Sequence, residues 1–207
     1  MSVQFKPYIE SCMQYANYFD IASLMFELYK DTYVVTNIKD KTWFSFHDNV
    51  WAESEIGPYT ELSSHVMVIF QDALQSLKKG KAKNDALRLM NCKKIIRMLS
   101  CPVEKDHICK ECLYIFYDNK FRKKLDSNPK LIPFTNGVLD LASNTFRPGL
   151  ASDFLSIYVN HEYITTSSRT HEKLMNDFVM YREKHVRHRL ENFNEVFWKK
   201  KTYIVIP

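Results

Sequence analysis

Glycine is scarce: the 207-residue chain has four, and they stand alone at positions 57, 80, 137 and 149. A phosphate-cradling loop needs several glycines close together, so that backbone N–H groups can approach phosphate oxygens, with a Lys beside Ser or Thr for charge and metal. That scarcity excludes an NTPase site of this kind from the chain. GxSxG, HExxH and the kinase signature set are missing as well. No DxD metal pair is present, and Asp140 and Asp153 lie too far apart in sequence to argue a paired-carboxylate polymerase site. Long apolar runs are also absent: no stretch approaches the roughly 20 residues needed to cross a bilayer. The opening MSVQFKPYIESC has neither the basic region nor the apolar run of a signal peptide. Cysteines are few, odd in number and unevenly spaced at 12, 92, 101, 109 and 112, which suits reduced thiols better than a disulfide framework. The expectation is a cytoplasmic protein that needs no membrane and no cofactor.

What is present suffices for a core, since 45% of residues are hydrophobic and 14% aromatic. Ile21, Leu24, Met25 and Leu28 recur at helical spacing. The period then changes to alternation through Val35, Ile38, Trp43 and Phe46, with turn formers between the pieces. Trp43 and Trp51 on this meander are expected to pack in the core and not to stack on bases. After Gly57-Pro58, Thr60 or Ser63 can cap a long helix with Leu62, Val66, Ile69, Phe70, Leu74 and Leu77 on its apolar face. Gly80 stops it, and a second helix follows with Leu87, Met90, Ile95 and Leu99. Beyond Pro102, a helix from about Asp106 to Asp118 presents Ile108, Cys112, Ile115 and Phe116, and the short helix NKFRKKLDS comes next. Asn136-Gly137 marks a tight turn before VLDL and TFR, which predicts a hairpin. Helical spacing returns from about His171 to Asn192, and the closing KKKTYIVIP is left as strand or tail. The fold class read from this pattern is α+β. It is mainly helical, with a small antiparallel meander over about residues 33–54 and a β-hairpin over about 137–147.

Charge is distributed unevenly. Residues 1–77 carry 4 Lys/Arg against 10 Asp/Glu, whereas residues 78–97 carry 8 against 1. Residues 98–168 balance at 8 and 8, and residues 169–201 carry 9 against 5. The dense block consists of Lys78, Lys79, Lys81, Lys83, Arg88, Lys93, Lys94 and Arg97. It is the candidate nucleic-acid-binding site, because phosphate contact needs density of positive charge and no base-reading geometry. The alternative is a solvated helix face, neutralised by the acidic first third folding back on it.

Cys101, His107, Cys109 and Cys112 are four residues of zinc-ligand type within twelve positions. Structural zinc sites usually bring two separated pairs of the C-x2-C kind, and one such pair is present here. Cys109 and Cys112 also sit at helical spacing in an amphipathic segment, where cysteine acts as a small hydrophobe. The core reading is preferred, with zinc kept as the alternative.

The segment from Glu111 to Phe154 carries a set of ordered motifs: Phe116-Tyr117-Asp118, Leu125-Asp126-Ser127-Asn128-Pro129, Asn136 to Leu141, Phe146-Arg147-Pro148-Gly149 and Asp153-Phe154. These resemble the end of the domain that precedes the superfamily 3 helicase in poxvirus-type primase-helicases of large DNA viruses and phages. YKDTYVVTNIKDKTWFSFHDNVWAE resembles an upstream part of the same domain, so the likeness covers about residues 20–163. The resemblance implies a replication protein's collar or loader module that engages DNA and stabilises a ring, with no catalytic residue of its own. Asn136, Gly137, Asp140 and Arg147 are read as hairpin-fixing groups, with Arg147 pairing to Asp140 across the strands. Beyond Tyr163 the sequence becomes basic and stops without a phosphate loop, which suggests domains at 1–163 and 164–207, the latter a basic, mainly helical extension of unknown role. The expected function is a non-catalytic accessory module of viral DNA replication, acting in the host cytoplasm. Its expected partners are single-stranded or forked DNA and a viral replicative helicase or primase. The alternatives are a protein-interaction module that docks on a helicase ring, and a truncated remnant of a primase-helicase.

Overall fold

The computed structural model describes residues 5–79 and 85–164, the side chains of Lys79 and Asp85 excepted. The helix expected from His171 to Asn192 and the terminal KKKTYIVIP lie outside the described residues. The fold is α+β, built from helices and two three-stranded antiparallel sheets. No helix among the described residues is long and apolar enough to cross a membrane.

Helix α1 spans Lys6–Tyr15 and α2 spans Tyr18–Tyr29, joined by a two-residue elbow. Pro7 sits in the first turn of α1, where its missing N–H removes nothing the helix would use. Ala16 takes the left-handed conformation, and Asn17 caps α2 by accepting the Asp20 amide at 2.8 Å. The strands β1 (Tyr33–Asn37), β2 (Thr42–His47) and β3 (Val50–Ser54) form the meander in sequence order. Helices α3 (Tyr59–Ser63), α4 (His65–Lys79), α5 (Asp85–Ser100), α6 (Pro102–Ile115) and α7 (Phe121–Lys124) follow.

Three helix expectations need correction. The long helix expected to be capped at Thr60 or Ser63 is divided at Ser64, whose backbone leaves the helical region at φ −105° and ψ −95°. Helix α6 begins at Pro102 and not at Asp106, because a proline at the first helical position is preorganised for the turn. On α5 the buried stripe is Asn91, Cys92, Ile95, Met98 and Leu99, so Leu87 and Met90, expected in the core, stand exposed at 54% and 59%.

The meander is buried on both faces because side chains alternate along a strand. Val35 and Trp43 join Ile21, Leu24, Phe70, Leu99, Ile108 and Cys112 in the helical core. Val34, Phe44 and Trp51 face the other way, onto Phe121. Burying each such side chain stabilises the fold by roughly 1.5–3 kcal/mol. Gly57, at φ +52°, lies flat on the Trp43 ring, and a Cβ there would sit 2.7 Å from it. Both tryptophans are thus core residues, unavailable for base stacking.

The second sheet is larger than the expected hairpin. β4 (Leu131–Phe134) pairs with β5 (Gly137–Asp140), which pairs with β6 (Thr145–Arg147). Pro133 within β4 is tolerated because β4 is an outer strand of this sheet. Its carbonyl accepts the Val159 amide at 2.8 Å, and the Thr135 amide reaches the His161 carbonyl at 3.2 Å. A 3-10 turn at Ala151–Asp153 returns the chain to the meander. There the Trp51 indole donates to the Ala151 carbonyl at 2.8 Å, and its ring lies 4.9 Å from Phe121. Trp51→Ala is therefore expected to destabilise the fold by about 3–5 kcal/mol. Trp51→Phe, which keeps an aromatic ring but strands the carbonyl, should cost about 2 kcal/mol. Urea denaturation of the two variants checks this.

Candidate nucleic-acid interface

The basic block occupies the corner where α4 meets α5. Lys78 is exposed at the end of α4, and Lys93 and Arg97 are exposed one turn apart on the outer face of α5. Among the described residues none of these three has an ion-pair partner. Lys79 closes α4 in its backbone, while Lys81 and Lys83 lie outside the described residues. Two members of the block are already engaged. Lys94 donates to the Ala16 carbonyl at 2.9 Å, and Arg88 lies 3.9 Å from Glu10. That pair is half exposed and contributes at most a few tenths of a kcal/mol. Among the described residues it is also the one ion pair between the acidic first third and the block.

Sequence reading missed what holds this corner together. Asn91 is buried, and its amide donates to the Met13 and Gln14 carbonyls, both at 2.9 Å. With Lys94 on Ala16, α5 thereby satisfies three carbonyls that the end of α1 leaves open. The signal was Asn91 four residues before Ile95 and eight before Leu99, a polar residue in line with apolar ones.

The motif residues fix backbone. Asn136 exchanges two hydrogen bonds with the Tyr163 backbone, at 3.0 and 2.9 Å. Gly137 is buried beneath Phe146, where a Cβ would lie 2.6 Å from the ring. Asp140 does not pair with Arg147. It accepts the Ala142 amide at 2.8 Å, which holds its carboxyl below the usual range, and its register partner is Thr145. Arg147 places both arms on Asp153, at 2.7 and 2.8 Å. Asp153 also accepts the Leu150 amide at 2.8 Å. Asp126 takes both the amide and the hydroxyl of Ser156, and Asp118 takes Lys124 at 2.7 Å and the Lys120 amide at 2.8 Å.

The zinc alternative does not assemble. His107, Cys109 and Cys112 all lie on α6, where roughly 100° per residue turns His107 some 200° away from Cys109. Cys112 is buried in the core, and His107 packs on Tyr18 with ring centroids 5.2 Å apart. Burial pushes the Cys109 thiol up to about 11 and Cys112 well above its ordinary value, so both are protonated hydrophobes. Among the described residues no three His, Cys, Asp or Glu side chains converge on one point.

Burial raises the Asp153 carboxyl, but the Arg147 guanidinium and the Leu150 amide outweigh it and hold the group below the usual carboxylate range. A depressed carboxylate contributes stability that is complete above roughly pH 4 and is lost as pH falls through the lowered value. Arg147→Met should cost about 3 kcal/mol at neutral pH, leaving Asp153 unpaired at 7% exposure, and should flatten the acid limb of the stability curve. Urea titrations from about pH 6 to about pH 2 read both effects.

The sequence matches the family described as "D5 N terminal like" over residues 22–194, a span that continues past the last described residue. It is 33% identical over 162 residues to a protein named "Putative helicase" from Acanthamoeba polyphaga mimivirus, covering 72% of this chain and 16% of that one. It is 28% identical over 187 residues to a "Putative helicase" of Invertebrate iridescent virus 3, covering 75% and 20%. A third, from Frog virus 3 (isolate Goorha), is 24% identical over 180 residues, covering 66% and 18%. The chain thus spans about a sixth to a fifth of the length of these curated relatives. Its motifs, its fold class and this match agree, and the chain belongs to the D5 N terminal like family.

Proposed function

We propose that this chain is a non-catalytic accessory module of viral DNA replication that holds DNA through the corner between α4 and α5. The observation that carries the reading is the cation cluster there: Lys78, Lys93 and Arg97 stand exposed, without ion-pair partners among the described residues, and the sequence between them adds Lys79, Lys81 and Lys83. Backbone phosphates need that density and little else. The glycines cannot form a phosphate loop, and the motif carboxylates are engaged in turns and caps, which supports a role without catalysis. The module would serve a viral replicative helicase or primase at replication sites in the host cytoplasm, with residues 164–207 as a basic extension of the 1–163 unit.

A second reading, docking on a helicase ring, draws on Leu87 and Met90, which α5 exposes among the same cations. Phosphate binding and protein docking differ in salt response. Lys78→Glu, Lys81→Glu, Lys83→Glu and Lys93→Glu together should weaken oligothymidine binding at least tenfold. They should also lower the log–log salt slope by about 0.7 for each phosphate no longer neutralised. Unchanged affinity and slope in a filter-binding titration would sink DNA binding by this corner and leave the docking reading.

A further inference from the structure

The elbow between α1 and α2 exposes two aromatic rings and abuts a cleft that contains cations. Ala16, in the left-handed conformation, reverses the chain between Tyr15 and Asn17. The reversal leaves Tyr15 at 60% and Phe19 at 59% exposure. Tyr18, between them, is occupied: its hydroxyl donates to Glu104 at 2.6 Å and its ring packs on His107. Against the elbow lies an open cleft of about 470 Å³, lined by Ala16, Asn17, Tyr18, Lys94, Arg97 and Glu104 among others. Lys94 uses one of its three donors on the Ala16 carbonyl, and Arg97 has no ion-pair partner among the described residues. The carboxylate in the lining, Glu104, accepts the Tyr18 hydroxyl.

Two exposed aromatic side chains within five residues of sequence, next to a cleft that contains cations, offer flat apolar faces on which a ligand can stack. A folded partner protein would meet a wider apolar surface, whereas here Lys94, Arg97 and Glu104 interrupt a lining that Ala16, Tyr18 and Met98 otherwise make apolar. Unpaired bases offer π-faces to the rings while their phosphates meet the guanidinium and ammonium groups. A duplex stacks its base faces internally and has none to offer.

We propose that the α1–α2 elbow is a binding site for single-stranded nucleic acid, in which Tyr15 and Phe19 stack unpaired bases and Arg97, with Lys94, holds the adjoining backbone. The proposal rests on the α4–α5 corner as a phosphate-binding surface. It extends that surface along α5 and names the form of nucleic acid it takes. The cations select for nucleic acid, and the rings select for single strands.

The test is fluorescence anisotropy of the full 207-residue chain against labelled oligothymidine and a duplex of equal length. Tyr15→Ala and Phe19→Ala should each weaken oligothymidine binding roughly five- to a hundredfold, the range of one base–aromatic stack, with the salt slope and duplex affinity unchanged. Tyr15→Phe and Phe19→Tyr should bind as the unaltered chain does. Both positions are exposed, and matching thermal melts would show that the alanine variants fold. Wild-type oligothymidine affinity in both alanine variants overturns the elbow site; the α4–α5 reading survives that result if the lysine reversals still weaken binding. Equal loss of duplex and single-strand affinity overturns the stacking role. No measurable affinity of the unaltered chain for either form overturns both readings.

Discussion

The meander has two outer strands, and the fold depends on both of their open edges being sealed. An unpaired strand edge leaves N–H and C=O groups without partners and invites association with other chains. Here the Val35 amide donates to the Phe116 carbonyl at 2.9 Å and the Asp118 amide donates to the Val35 carbonyl at 3.0 Å, so the end of α6 closes β1. On the other side the Trp51 amide donates to the Leu155 carbonyl at 2.6 Å, so the chain leaving the second sheet closes β3. These backbone bonds join segments roughly eighty to a hundred residues apart and fix the meander between the helical core and the Phe121 cluster. The motifs at 116–118 and 146–154 are the sequence cost of that seal: Asp118, Arg147 and Asp153 shape the chain so that it arrives in register.

Such a division of labour leaves the polar motif residues structural, and the proposed binding corner is built from other elements, α4 and α5. Asn91 and Lys94 tie α1 to α5, and the same helix turns Lys93 and Arg97 outward. A rigid helix that satisfies its neighbour's carbonyls and presents cations beside those contacts suits phosphate binding, since little ordering entropy is lost on association. The chain is about a sixth to a fifth the length of the curated relatives it matches.

Much of this was legible in the sequence. The period change after Lys30 announced the meander, and β1, β2 and β3 fall within residues 33–54. The apolar stripes of α2 and α4 and the core role of Cys112 were also readable, because burial of one helix face imposes a local period. Features decided by distant partners were not readable. β4 was hidden by Pro133, which looks hostile to a strand until the sheet shows it at an edge. Arg147 was assigned to Asp140 by hairpin logic, whereas the turn at Ala151–Asp153 brings Asp153 into reach. Leu87 and Met90 matched a helical stripe that the fold does not bury. In the candidate site the charge block was visible as composition, but which cations are engaged and which stand free depended on where α1 ends.

The central claim is that nucleic acid lies along the α4–α5 corner and not on the motif-bearing sheet. Lysine acetylation footprinting of the full chain, with and without saturating oligothymidine, tests it most directly. The account predicts protection of Lys78, Lys79, Lys81, Lys83 and Lys93, with Lys110, Lys123 and Lys130 as reactive as in the free chain. Equal reactivity at the first group in both states, or protection confined to Lys123 and Lys130, would contradict it.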